Sequence, residues 1–310
     1  MLDVKRMKVL REVAARGSFS AAAESMSFTQ SAVSQQIAAL ERETGATLLE
    51  RGPRGVRLTD AGRALVSHTD AILSRIDDAE EELAALAVLR GGRLRLASFQ
   101  SGGATLLPRA VKAFHERHPA VELSMIEAEP DEAQERLRSG ETDVAVVYDF
   151  EPVPDTLGDD LELAHLLDDP YDAVIASDHP LAARRRLRLA DLADDPWIAS
   201  TDRCGCRVIT ERATEDAGFE ARVAFEADET MAAQAFVAAG VGVTIFPRLA
   251  LSPLHPGVVT RSLGREAPVR RIWAARLANA YRSPASEAMM QILLDVAEEF
   301  RAGAELQAVS

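Results

Sequence analysis

Apolar positions recur at helical spacing from the start of the chain. Val4, Met7, Leu10, Val13 and Ala14 share one face, with Asp3 ahead of them as a cap and Gly17 as a stop. The spacing predicts a second short helix over FSAAAESM, capped by Ser18, whose Ala21 and Ala22 are small enough for close helix contact. Ser27-Phe28 makes a turn, and Thr29 caps a third helix, QSAVSQQIAALERET, closed by Gly45. On it Val33, Ile37 and Leu40 form the buried stripe at i, i+4, i+7, so Gln30, Ser31, Ser34 and Gln35 project from the other side. LLERGPRGVRL follows at once, two short apolar runs around a Gly/Pro/Arg tip, and predicts a β-hairpin carrying Arg51 and Arg54.

From Thr59 the pattern becomes one long helix, DAGRALVSHTDAILSRIDDAEEELAALAVLR, with Leu65, Ile72, Ile76, Leu83 and Leu86 as a seam and Gly91-Gly92 as its end. About thirty helical residues span about 45 Å. Such a stripe needs a partner, either the rest of its own chain or a second copy. From Arg93 strands and helices alternate. RLRLASF, VELSMIEA and DVAVVYDF read as strands around the helices TLLPRAVKAFHERH and PDEAQERLRSG. EPVPDTLGDD reads as a crossover. YDAVIAS, PWIAS, RVAFEA, VGVTIFP and RRIWAARL read as further strands, with helices at RVITERATEDAG, DETMAAQAFVAAG and SPASEAMMQILLDVAEEFRAG.

Charge changes this picture. The 310 residues carry a formal net charge of −14, which by itself argues against nucleic acid. Residues 1–58, however, hold nine Lys/Arg and six Asp/Glu, a net +3 that leaves −17 on the remainder. A basic head on an acidic body suits a protein that presents one end to DNA. The neutral row Gln30, Ser31, Ser34 and Gln35 suits base edges, since Gln pairs bidentately with adenine and Ser donates or accepts. An ordinary solvated helix face accounts for the same residues, but the capped helix–turn–helix followed by a basic hairpin favours DNA. Arg51 and Arg54 would then meet phosphates or a minor groove. The N-terminus has no signal-peptide pattern and no apolar run spans a bilayer, so a cytoplasmic location without membrane association is expected. Two cysteines cannot form a disulfide framework.

Over some 45 residues, GSFSAAAESM, TQSAVSQQIAALE and GATLLERGPRGVRLTDAG resemble the LysR-type transcriptional regulators. DVAVV, HPLA and FVAAGVGVTIFP resemble landmarks of the effector domain of that family. The resemblance implies an α+β multidomain chain. Residues 1–58 would form a winged helix-turn-helix, 59–90 a linker and dimerisation helix, and 91–303 an α/β effector domain. That domain would comprise two Rossmann-like subdomains, 93–155 with 266–303 and 161–262, arranged as in periplasmic binding proteins. Carried over by position, the DNA-binding residues are Ser18, Thr29, Gln30, Ser31, Ser34 and Gln35, with Arg51 and Arg54 in the wing. Two departures are Leu49, where relatives often have Phe, and Gln35, often Arg. The implied partners are a dyad-symmetric double-stranded operator, a small-molecule effector and further copies of the chain, as dimer or tetramer.

Ligands in such sheets settle at the carboxyl ends of strands. SFQSGGAT would offer Ser101, Gly102 and Gly103, with Thr105 opening the helix. EAEPD has Pro130 where relatives often place a hydroxyl. STDRCGCR would offer Arg203, Cys204 and Gly205, and Arg203 or Arg207 would add a cation suited to an anionic effector. Each stretch also reads as a routine turn. Cys204 and Cys206 raise a redox-responsive alternative, although a disulfide between near neighbours would be strained and no more distant cysteine exists. His115 and His118 lack further metal ligands, and Gly240-Val-Gly242 lacks a third glycine. No catalytic residues, metal or cofactor are expected, and GxSxG, HExxH and P-loop patterns do not occur. The remaining readings, a ligand-binding protein without a DNA role and an enzyme on the α/β half, leave the basic head unexplained.

Overall fold

A computed structural model of the chain describes residues 2–52, 55–86, 92–150, 157–201 and 205–308. It divides into two compact units, one built on Met1–Leu89 and Arg138–Glu141, the other on Arg90–Leu137 and Thr142–Ser310.

In the first unit α1 (Val4–Arg16) begins where Asp3 accepts from the Lys5 N–H and ends at Gly17, whose φ of 63° is the left-handed conformation glycine adopts freely. α2 (Phe19–Ser25) is capped by Ser18, and α3 (Gln30–Thr44) by Thr29, whose Oγ1 accepts from the Ala32 N–H at 3.2 Å. The strands β1 (Leu49–Gly52) and β2 (Gly55–Leu58) pair antiparallel, with Gly52 opposite Gly55. The Val56 N–H donates to the Gly17 carbonyl, which ties this hairpin to the end of α1. α4 (Asp60–Leu86) starts at Thr59, whose hydroxyl accepts from the Gly62 N–H at 3.0 Å. Met7, Leu10, Val13, Phe19, Val33, Ile37, Leu40 and Leu48 close one core, and Leu65 joins it from α4. The seam continues at Ile72 and Ile76, which are 37% and 38% exposed. The side chains of Leu83 and Leu86 lie outside the described residues.

In the second unit β3 (Arg93–Ser98), α5 (Gln100–Arg117), β4 (Glu122–Glu127), α6 (Pro130–Ser139) and β5 (Val144–Phe150) form parallel βα units, with β3 between β4 and β5. β6 (Leu161–Ala176) follows as one strand of 16 residues. Next come β7 (Trp197–Ala199), α7 (Gly205–Asp216), β8 (Val223–Glu226), α8 (Thr230–Ala238), β9 (Thr244–Pro247), β10 (Val258–Ser262), β11 (Val269–Leu277) and α9 (Pro284–Ala308). β11 pairs antiparallel with β5 on one side and with Leu161–Pro170 of β6 on the other. Beyond Pro170 the partners of β6 change to β9 and β10, while β7 and β8 pair parallel in a small separate sheet. Two lobes therefore share one strand. The first holds β3–β5, β11, α5, α6 and α9. The second holds β7–β10, α7 and α8.

Two expectations need correction. LELAHLLDD, which the sequence pattern assigns to no element, is the first half of β6 and belongs to the first lobe's sheet. The helix expected to open at Thr105 opens at Gln100 instead, and the Thr105 hydroxyl donates to the Ser101 carbonyl one turn back. The expected crossover tip, residues 151–156, lies outside the described residues.

Candidate functional site

α3 presents the polar row as an outward face. Gln30, Ser31 and Gln35 are exposed and Ser34 is half-buried, whereas Val33, Ile37 and Leu40 behind them are no more than 3% exposed. Burial of the stripe fixes which side of the helix is free. Thr29 and Ser31 share a hydrogen bond between their hydroxyls at 3.0 Å, and Ser18 accepts from the Ala21 N–H at 3.4 Å. Phe28, treated in the sequence only as a turn residue, stands 51% exposed immediately before the Thr29 cap. The Arg51 side chain and Arg54 lie outside the described residues.

Much of the unit's positive charge is already matched. Arg6 pairs with Glu43, Arg11 with Asp70 and Arg16 with Glu12. Lys5, Lys8, Arg42 and Arg57 are exposed and have no ion pair among the described residues.

The second unit contains a cavity of about 330 Å³ between its lobes. Ser101 from the start of α5, Glu127 and Glu129 after β4, and Tyr148 from β5 line the first lobe's side. Ser200, Cys206, Asp228, Glu229 and Thr230 line the other. A hydrogen bond spans the lobes, from the Thr230 hydroxyl to Gln100 Oε1 at 3.4 Å.

Arg270 of β11 lies at the cavity wall, 2% exposed. Its Nε donates to Asp169 Oδ2 at 2.9 Å and its Nη2 to Ser101 Oγ at 2.6 Å, and the guanidinium lies over the Phe99 ring at 4.7 Å. Burial, the largest single influence, would lower the Arg270 pKa; the Asp169 carboxylate, together with Tyr171, Cys206 and Tyr148, more than reverses this, so the guanidinium stays charged. Asp169 is itself held by the Leu249 N–H. Tyr148 donates to Glu129 Oε2 at 2.5 Å. Burial raises the Glu129 pKa above its ordinary value, an effect the Tyr148 hydrogen bond opposes. The Tyr171 hydroxyl donates to Cys206 Sγ at 3.7 Å, and burial pushes that phenol well above its ordinary pKa.

Of the residues expected at the effector site, Ser101 lines the cavity, and a Cβ on Gly205 would sit 3.6 Å from the Tyr148 hydroxyl. Gly102 is a packing glycine: a Cβ there would meet Ser98 Oγ at 2.6 Å and the Phe99 ring at 2.9 Å. Thr105 points back into its own helix and is not among the lining residues. Arg203 and Cys204 lie outside the described residues. Arg207 is not a free cation for an anionic ligand, because Glu211 and Glu226 hold it at 2.5 and 3.0 Å and its Nη1 also donates to the Ser200 carbonyl. Those contacts raise its pKa, the Glu211 hydrogen bond most of all.

Arg270, Tyr148, Asp228 and Glu229 escaped the sequence reading. A charged residue inside the apolar run RRIWAARL was one available signal for a buried ion pair. The second was a near-repeat: EAEPD before α6 and EADET before α8 place acids at corresponding strand-to-helix turns.

Among the described residues no helix is long and apolar enough to cross a membrane. Residues 4–63 match the model for the bacterial regulatory helix-turn-helix protein, lysR family, and residues 88–298 match the LysR substrate binding domain. The chain is 34% identical over 303 residues to a probable HTH-type transcriptional regulator, LrrA, of Synechococcus elongatus, covering 97% of this chain and 99% of that one. It is 30% identical over 307 residues to the uncharacterized HTH-type transcriptional regulator YfeR of Shigella flexneri, covering 98% and 97%. Its fold is similar to that of CbnR, a LysR family transcriptional regulator, with a TM-score of 0.70 at 23% identity over 96% and 99% of the two chains. It is similar also to a full-length OxyR variant from Pseudomonas aeruginosa, with a TM-score of 0.70 at 22% identity over 96% and 95%. The chain belongs to the LysR family: it is a transcriptional regulator with an N-terminal helix-turn-helix for DNA and a C-terminal effector-binding domain.

Proposed function

We propose that the chain reads a dyad-symmetric operator through Gln30, Ser31, Ser34 and Gln35 of α3. In this reading Ser18 and Thr29 sit at the helix starts that face the DNA backbone, and Arg51 and Arg54 of the hairpin meet phosphates or a minor groove. Residues 1–58 form the reading unit, 59–90 pair with a second copy along the α4 seam, and 91–303 hold the effector in the cavity between the lobes. The regulator acts in the cytoplasm, by binding and without catalysis. The observation that carries the reading is the outward, uncharged polar row on α3, backed by fully buried Val33 and Leu40. CbnR, which shares the fold, has been solved in complex with its target DNA.

The test is a gel-shift series with the full chain on the DNA it protects beside its own gene. Gln30→Ala and Ser34→Ala are expected to lose about 1–3 kcal/mol of discrimination against unrelated DNA, leaving non-specific binding nearly unchanged. Unchanged operator preference in both variants rejects α3 as the reading element.

A further inference from the structure

Resting on the reading of the lobe cavity as the effector site, we infer that the effector carries a protonated amine, bound by the carboxylates of that cavity, with an acceptor group directed at Arg270. The argument begins with charge. Among the described residues, Glu127, Glu129, Asp228 and Glu229 line the cavity against one cation, Arg270. That cation is already matched, since Asp169 sits 2.8 Å from its Nη2. None of the four carboxylates is ion-paired among the described residues. Asp228 accepts from the Thr201 N–H and hydroxyl, and Glu229 caps α8 through both of its oxygens. Those hydrogen bonds satisfy oxygens and leave the negative charge in place. Glu127 has no hydrogen-bond partner among the described residues, and Glu129 uses only Oε2, on Tyr148. An anionic ligand would enter against these carboxylates as the described residues place them, and an ammonium group gains from them, from Glu129 only when it is ionised.

Acceptor-seeking groups occupy the same cavity. The Ser200 side chain is only 9% exposed, lines the cavity, and its hydroxyl has no partner among the described residues. That hydroxyl is not sealed off but opens on the cavity, where an entering acceptor could take its hydrogen bond. Arg270 Nη1 likewise makes no hydrogen bond to the described protein. The start of α5 beside it has no side-chain cap, so its first N–H groups are open to an acceptor. The cavity thus offers a donor end around Ser101, Arg270 and α5, and a carboxylate end around Glu127, Glu129, Asp228 and Glu229. Its volume, at about 30 Å³ per water-sized group, admits on the order of ten non-hydrogen atoms. An amino acid or amino alcohol of that size fits the pattern. A nucleotide is too large and of the wrong charge.

The test uses the full chain in thermal-shift and calorimetric titrations. The probes are 4-aminobutanoate, L-lysine, 5-aminopentanol and 1,4-diaminobutane, set against the amine-free acids butanoate, hexanoate and succinate. At least one amine is expected to raise the melting temperature and the acids to leave it unchanged. Glu127→Gln and Glu129→Gln should each weaken binding of that amine about tenfold, with the melting temperature of the unliganded variants showing that they fold. Binding of an amine-free acid, silence with every amine, or amine binding unaltered in both variants overturns the inference. Filling the cavity with Ser200→Trp separates this from failure of the site itself. A Ser200→Trp chain that still switches transcription in cells removes the cavity as effector site, whatever the ligand's charge.

Discussion

Arg270 and Asp169 form an ion pair that is almost wholly shut off from water, with Nη2 and Oδ2 2.8 Å apart and side chains 3% and 2% exposed. Two charges in such a place depend on each other, because either one alone faces the full desolvation cost. Asp169→Asn should therefore destabilise the effector-binding unit by about 3 kcal/mol. Urea unfolding followed by tryptophan fluorescence checks this, since Trp197 and Trp273 both lie in that unit. A double replacement of Asp169 and Arg270 by apolar residues of similar size should cost less than the single one.

Glu129 links pH to stability. Its pKa in the folded chain is raised, so the native state holds the proton more tightly than the unfolded chain does. Stability from this group is then present at low pH and is lost as pH rises through the ordinary carboxylate range toward the folded value. Glu129→Gln, which retains an acceptor for Tyr148, should melt higher than the native chain at about pH 7.5, with the difference vanishing by about pH 4. Calorimetric scans across that interval decide it. An equal melting temperature at both ends would show that burial does not tax this carboxylate.

The α4 seam makes a prediction about assembly. Ile72 and Ile76 lie over a third exposed on a groove completed by His68, Ala71 and Ala79. Replacing both by Asp puts charge into whatever covers them. Sedimentation of the double variant should shift toward monomer, with operator affinity falling in parallel because a dyad needs two heads.

Gly62 has no room for a side chain. A Cβ would lie 2.1 Å from the Leu48 carbonyl oxygen and 3.0 Å from Leu58. Backbone cannot yield as a flexible side chain can, so Gly62→Ala should cost about 1–3 kcal/mol and weaken all DNA binding, specific and non-specific alike. Thermal unfolding of the isolated change, with gel shifts on both DNA types, distinguishes it from a reading-face defect.

Arg54→Ala should instead leave stability alone and reduce the slope of log affinity against log salt by about 1. Titrations at several salt concentrations measure it.

Legibility in the sequence followed the range of the interactions. α1, α2 and α3 could be read because Asp3, Ser18 and Thr29 cap them within three residues and Val33, Ile37 and Leu40 are one helix's own periodicity. The first half of β6 could not. Its Glu162 and Asp169 look like loop residues until Arg276 and Arg270 arrive from more than a hundred residues downstream to hold them. The sequence places the start of α5 late because Gln100–Gly103 reads as a glycine turn, whereas Gly102 lets the helix lie against Ser98 and Phe99. In the cavity, Ser101 was visible from its place after a strand. Arg270 faces it from the far end of the chain, and EADET shares the cavity with EAEPD only once both lobes are folded.

The strand β6 gives this effector unit a particular mechanical character. No loose joint separates its lobes there, since one continuous backbone changes partners on either side of Pro170. Asp169, just before that point, grips Arg270, and Tyr171, just after it, reaches Cys206. A molecule touching Arg270 or Cys206 in the cavity would therefore meet side chains held by the two residues that flank Pro170, where β6 passes from one lobe's sheet to the other's.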